Sequence, residues 1–202
     1  MKITLRNCML ASLLVGGGAI TSSVVLLAHE DAKGVVKERM EAMERYEELT
    51  DRIFAMIHGE LPYNADVVRK AATEIKTTSG VHLVRMFPKG SGGKPSEATD
   101  AIWQNMDTFE HFAERLQGFA SDVESNADKK PDGKVTLPKK WEDVPAMGNM
   151  MGRGGGMGQP GMMPGRGMMG GPGGRMTDGI EGAAWRMAHM CNTCHQAFRK
   201  EE

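Results

Sequence analysis

Aromatic residues are scarce, at 5% of the 202 residues. A core built from this chain alone is therefore short of large apolar side chains. Cysteine is scarce too: three Cys exclude a dense disulfide framework. Neither sign of charge is in excess, because the net charge is −1. That removes the electrostatic ground for a nucleic-acid partner. No segment alternates apolar and polar residues as a half-buried strand does. No acid–base constellation, no nucleophile with its base and no phosphate-binding glycine loop is present, so nothing points to an enzyme. What is abundant is Gly (26) and Met (18), both concentrated late in the chain. An organic cofactor would supply the apolar bulk that the aromatic count lacks.

The N-terminus has the layout of a secretory signal peptide. Lys2 and Arg6 precede two apolar runs, Cys8 to Val15 and Val24 to Ala28, and charged sequence begins at Glu30. Cleavage after Ala28 assigns residues 1–28 to the signal and places the mature protein in the periplasm. An uncleaved anchor is the alternative. Three glycines and three hydroxyl residues in the middle of the stretch make it a poor membrane span. Cys8 leaves with the signal, and the exported chain keeps Cys191 and Cys194.

Four helices are expected in residues 29–202. From Asp31 to His58, apolar residues step by three or four through Met40, Met43, Tyr46, Leu49 and Ile53. His58 falls at the helix end, where a cation suits the dipole. A second helix is capped by Asn64 and runs through Val68, Ala72, Ile75, Ser79, His82 and Met86 to the Phe87-Pro88 stop. The third starts at Ser96 and buries Ile102, Met106, Phe109, Ala113, Leu116, Ala120 and Val123. The fourth starts at Asp178, with Glu181 in a capping-box position, and presents Ile180, Ala184, Met187, Cys191, Cys194 and Phe198. Short loops make the first three antiparallel neighbours. The expected fold is an all-α, up-down-up-down four-helix bundle. A flexible insertion at 126–177 interrupts it. Up to Ala146 the insertion is polar; residues 147–176 are nearly all Gly, Met, Pro and Arg, a composition that forms no regular element.

Cys191-Asn192-Thr193-Cys194-His195 is C-x-x-C-H, the attachment pattern of c-type haem. Sulfurs at i and i+3 lie on one side of a helix, so both reach the vinyl groups of one porphyrin edge. His195 then binds iron from one side. A redox C-x-x-C belongs after a strand in an α/β unit, which is absent from the pattern. A zinc site would have to crowd Cys191, Cys194, His195 and His189 into seven residues of one helix, a poor tetrahedron.

With this motif on its last helix, the chain resembles the cytochrome c′ family. Supporting features are Arg39-Met40-Glu41-Ala42-Met43 as R-x-x-x-M in the first helix, Tyr63-Asn64-Ala65 at the second, and Phe87 to Ser91 after it. Ala98 to Phe109 and the ending Cys191 to Arg199 also match. The insertion departs from the family, whose last two helices are joined by a much shorter loop. The resemblance implies one covalent haem c held by Cys191 and Cys194, with His195 as an axial ligand of the iron. It implies Met43 as the opposite ligand, making a six-coordinate, low-spin iron. It also implies Arg39 beside a propionate and Arg199 by the proximal face; Trp103 is a candidate to pack on the porphyrin. The bland alternatives are that Met43 is core, that Arg39 and Arg199 are solvated, and that Trp103 is core. His82, on the apolar face of the second helix, is the rival ligand. His111 looks half-exposed, and His189 points away from the ring.

The function so implied is one-electron transfer with redox partner proteins. A second copy of the chain is a further candidate partner; nucleic acid and stable membrane insertion are not expected. One competing reading is a five-coordinate haem that binds nitric oxide or carbon monoxide. Another is a copper-handling protein, since thioethers such as Met150, Met151, Met162 and Met163 suit Cu(I). A spacer or an oxidant scavenger is the plainer reading of that tract.

Overall fold

The computed structural model describes residues 32–133, 135–146 and 179–200. The expected signal (1–28) and the Met/Gly tract (147–176) lie outside them. Helix α1 spans Val35–Ile57, α2 Ala65–Thr78, α3 Val81–Arg85, α4 Ala101–Gln104, α5 Met106–Asn126 and α6 Ile180–Phe198. Four of these are long, and they form the bundle: α5 packs against both α2 and α6, and α1 leans on α2 and α6. Among the described residues the extended pairing is a single bridge, Ala98 with Arg199. No helix among them is long and apolar enough to cross a membrane.

The apolar stripes read from the sequence form the core. Leu49 and Ile53 of α1, Val68 and Ile75 of α2, Phe109 and Val123 of α5, and Ile180 and Met187 of α6 are all buried. Asn64 caps α2 as expected, accepting from the N–H groups of Asp66 and Val67 at 3.0 and 3.2 Å. Gly59, at φ +74°, ends the first helix.

Two expectations need correction. The second helix is not continuous to Phe87. Ser79 turns extended and Gly80 takes φ +60°, where its N–H donates to the Ala113 carbonyl at 3.2 Å. A side chain is disfavoured at that φ, so Gly80 splits the helix, a break that apolar spacing does not register. The third long helix begins at Met106 rather than Ser96; the buried Ser96 hydroxyl accepts from the Ala98 N–H at 3.1 Å within the connecting loop. Asp178, the expected start of the last helix, lies outside the described residues, and its partner Glu181 has another role. It is buried at the start of α6, and its carboxylate accepts from the N–H groups of Asp132 and Gly133, both at 2.8 Å.

Those two bonds begin a larger departure. The stretch 127–146, read from the sequence as part of a flexible insertion, is a packed strap. Leu137, Trp141, Val144 and Ala146 are buried, and Trp141–Asp143 forms one turn of 3₁₀ helix. His58 donates through Nε2 to the Pro138 carbonyl at 2.8 Å, and His189 through Nδ1 to that of Pro145 at 2.6 Å. Prolines and charges made the stretch look solvated. Four spaced apolar residues and borrowed side-chain bonds hold it instead.

Candidate haem site

Cys191, Cys194 and His195 stand at i, i+3 and i+4 on α6, so one helix face presents all three. They border a cavity of about 580 Å³ between α1, α5 and α6, within the range of cofactor pockets, roughly 300–1,000 Å³. From α1 come Arg39, Met40, Met43, Tyr46 and Thr50, spaced so that one stripe faces the cavity. From α5 come Phe109, Phe112, Ala113 and Leu116. The rings of Phe87, Phe109 and Phe198 form an aromatic wall, with centroids 4.7 and 5.6 Å apart in edge-to-face pairs.

Burial sets the protonation of the reactive groups. It raises both thiols to about 12 and lowers His195 to about 4. The cysteines are therefore neutral thiols at pH 7, and the imidazole is neutral with a lone pair free for a metal. Arg39 is buried, at 2% exposure, and burial lowers its pKa. It donates to the Ser91 hydroxyl at 2.9 Å and the Ser91 carbonyl at 2.6 Å, and its guanidinium lies 4.9 Å from the centre of the Phe87 ring. No carboxylate pairs with it among the described residues.

A family model described as Cytochrome C′ matches residues 34–145, more than half of the chain. The chain belongs to the cytochrome c′ family. The match ends at Pro145, before α6, so the attachment motif lies beyond it. Cytochrome c-554 of Cereibacter sphaeroides is 36% identical over 70 residues, which are 33% of this chain and 44% of that protein. The chain thus spans less than half of that relative's length. Cytochrome c-556 of Agrobacterium fabrum is 32% identical over 108 residues, covering 54% of this chain and 73% of that one. The fold is shared with cytochrome c′ from Rhodobacter sphaeroides, at TM-score 0.54 and 17% identity over 83% of this chain and 96% of that one. A ferrous Alcaligenes xylosoxidans cytochrome c′ with bound NO gives 0.52 and 17%, over 86% and 97%.

As a cytochrome c′ relative the chain is a haem protein whose cofactor is covalent haem c, and its lining fits that group. Among the described residues, the buried side-chain polar atoms without a hydrogen-bond partner are Arg39 Nε, the Tyr46 hydroxyl and Trp141 Nε1. All three belong to residues of this one cavity. The Tyr46 hydroxyl lies toward Thr78; the unpartnered N–H groups of Arg39 and Trp141, on residues that line an apolar pocket, fit an occupant that is apolar in the middle and carries acceptors at its edge, as a porphyrin with two propionates is.

The structure brings together Cys191, Cys194, His195, Met43, Arg39 and Arg199 of the residues singled out by sequence. Arg199 donates through Nε to the Glu97 carboxylate. Trp103 is not in the cavity wall. Its indole donates to the carbonyls of Phe87 and Pro88, both at 3.0 Å, and its ring lies where a Cβ on Gly92 would meet it at 2.9 Å. It clamps the loop after α3. His82 is exposed and away from the cavity, because the break at Gly80 turns α3 off the axis of α2. His189 stacks on Trp185, with centroids 4.8 Å apart. Trp141 is the residue that sequence reasoning missed. Its signal was one aromatic in a polar stretch, Lys139-Lys140-Trp141-Glu142-Asp143, where a solvated tryptophan would be wasteful.

Proposed function

We propose that the chain is an exported, periplasmic monohaem c-type cytochrome that carries single electrons between redox partner proteins and is not an enzyme. In this reading Cys191 and Cys194 hold the porphyrin through thioethers, and His195 and Met43 are the axial ligands. Arg39 offsets a propionate, and Arg199 stands at the proximal face. The bound haem supplies the one-electron couple. The chain's own part is to hold, desolvate and bias it. Buried Phe109, Leu116 and Phe198 keep water away, and the neutral His195 keeps its lone pair for the iron. Arg39 places a positive charge where added electron density is stabilised. A Met/His pair leaves no position open, so little bonding changes with oxidation state.

The observation that carries the reading is the convergence of the C-x-x-C-H residues, Met43, and Arg39 and Trp141 with their unpartnered N–H groups, on one cavity. Optical spectra of the ferric and ferrous protein matured in a periplasm test it. Six-coordinate, low-spin spectra with haem that resists acidified organic solvent are expected. Extractable haem refutes the thioethers. A high-spin, five-coordinate spectrum refutes Met43 as a ligand and moves the reading to a gas-binding module.

A further inference from the structure

One side chain of the strap reaches the haem site. Trp141 is 6% exposed and lies in the cavity wall. Its ring faces the His195 imidazole in a tilted contact, with centroids 6.1 Å apart and planes 66° to each other. The contact is clamped from behind. Asn192, inside the attachment motif, donates to the carbonyls of Trp141 at 3.0 Å and Val144 at 2.6 Å. The same 3₁₀ turn also packs against α1, so the strap is held at both sides of the cavity.

We propose that Trp141 is a positioning residue for His195: its ring fixes the rotation of the imidazole plane and keeps water from its flank. A helix fixes where a histidine starts but not how its ring turns, because the last side-chain torsion of histidine is broad. A tilted aromatic neighbour sets that plane, since rings prefer an edge-to-face approach over others. Groups of this kind around an axial ligand tune the metal without touching it. The strap therefore brings a part of the site, and one of the two motif positions that haem chemistry leaves unspecified is used to hold it. Asn192 ties down the strap, and buried Thr193 donates to the His189 carbonyl at 2.7 Å.

This inference rests on the haem reading above. The test is proton NMR of the ferric holoprotein, whose haem-methyl shifts follow the orientation of the axial imidazole, together with the mass of each variant. W141L should keep covalent haem and change the order or spread of the methyl shifts. W141F, which keeps a ring and loses the N–H, should stay closer to the native pattern than W141L. N192A, which keeps Trp141 but frees its backbone, should broaden it. An unchanged pattern in W141L and N192A, with haem attached, overturns the proposal alone. So does a W141F pattern displaced as far as that of W141L. If W141L does not mature, the W141F and N192A arms decide it. Absence of covalent haem from the native protein overturns the haem reading and this inference with it.

Discussion

Asn192 sits between the two cysteines of the attachment motif, and its side-chain amide donates to Val144, forty-eight residues back, at 2.6 Å. The same amide reaches the carbonyls of Trp141 and Glu142 at 3.0 and 3.2 Å. One side chain thus closes the strap onto the helix that bears the cysteines. Replacing it with Ala leaves these partly buried carbonyls short of a donor, which costs about 1–3 kcal/mol. Thermal unfolding of Asn192→Ala should show a lowered midpoint with the helical content intact at low temperature. An unchanged midpoint would mean that water replaces the amide at no cost.

Met43 borders the cavity one turn beyond Arg39, on the same face of α1. Met43→Ala should convert a low-spin optical spectrum to a high-spin one and let carbon monoxide bind the ferrous protein faster. Met40 lines the same cavity. If Met43→Ala stays low-spin, the double variant with Met40→Ala identifies the substitute ligand.

Arg39 is a buried cation held by the neutral Ser91. Its charge favours the reduced haem, which carries one more electron. Arg39→Gln removes the charge and should lower the midpoint potential by about 59 mV, the equivalent of tenfold in a one-electron equilibrium. Redox titration reads this directly, and a rise in potential would contradict it.

The strap also brings Glu142 toward Glu47 and Asp51 of α1. Burial raises the pKa of both α1 carboxyls; for Glu47, Asp51 and then Glu142 add to the rise, and for Asp51, Glu142 does. A raised folded-state pKa means that protonation favours the folded form. This contribution to stability grows as pH falls through the folded values and is lost as pH rises above them. Glu142→Gln should therefore lower the pKa of Glu47 and Asp51 in an NMR titration. It should also stabilise the protein at pH 7 by a few tenths of a kcal/mol, roughly the scale of exposed charge pairs. The gain should shrink on acidification. A destabilised variant at pH 7 would show that Glu142 has a favourable role in the strap.

Deleting residues 147–174 spares every buried residue of the strap and all of α6. Haem attachment, spin state and helical content should stay close to those of the full chain, as measured by mass, optical spectrum and circular dichroism. Carrying the deletion back to residue 137 removes Leu137, Trp141 and Val144 and should lower the unfolding midpoint sharply. If the tract serves copper, the full chain should hold Cu(I) against a chelator and the shorter deletion should not.

The helices and their inward faces were legible because burial repeats with the helical period. The stripe from Tyr46 through Leu49 to Ile53, and that from Phe109 through Ala113 to Leu116, state both the element and its buried side. The shared face of Cys191, Cys194 and His195 was equally legible, since it depends on spacing within one turn and α6 supplies that turn. Residues whose role depends on a partner far along the chain were not. Gly80 splits a helix because its N–H meets Ala113, and Trp103 belongs to the loop at Phe87 and Pro88 and not to the cavity. Glu181 turns from its own helix to Asp132 and Gly133. Trp141 reaches His195 across fifty-four residues. The sequence by itself determined the helical period, the Asn64 cap and the spacing of Cys191, Cys194 and His195, because these are set by neighbours within a few residues. Tertiary structure decided which tryptophan borders the haem cavity and that the strap is packed, because long-range contacts depend on where other elements lie and local spacing carries no record of them.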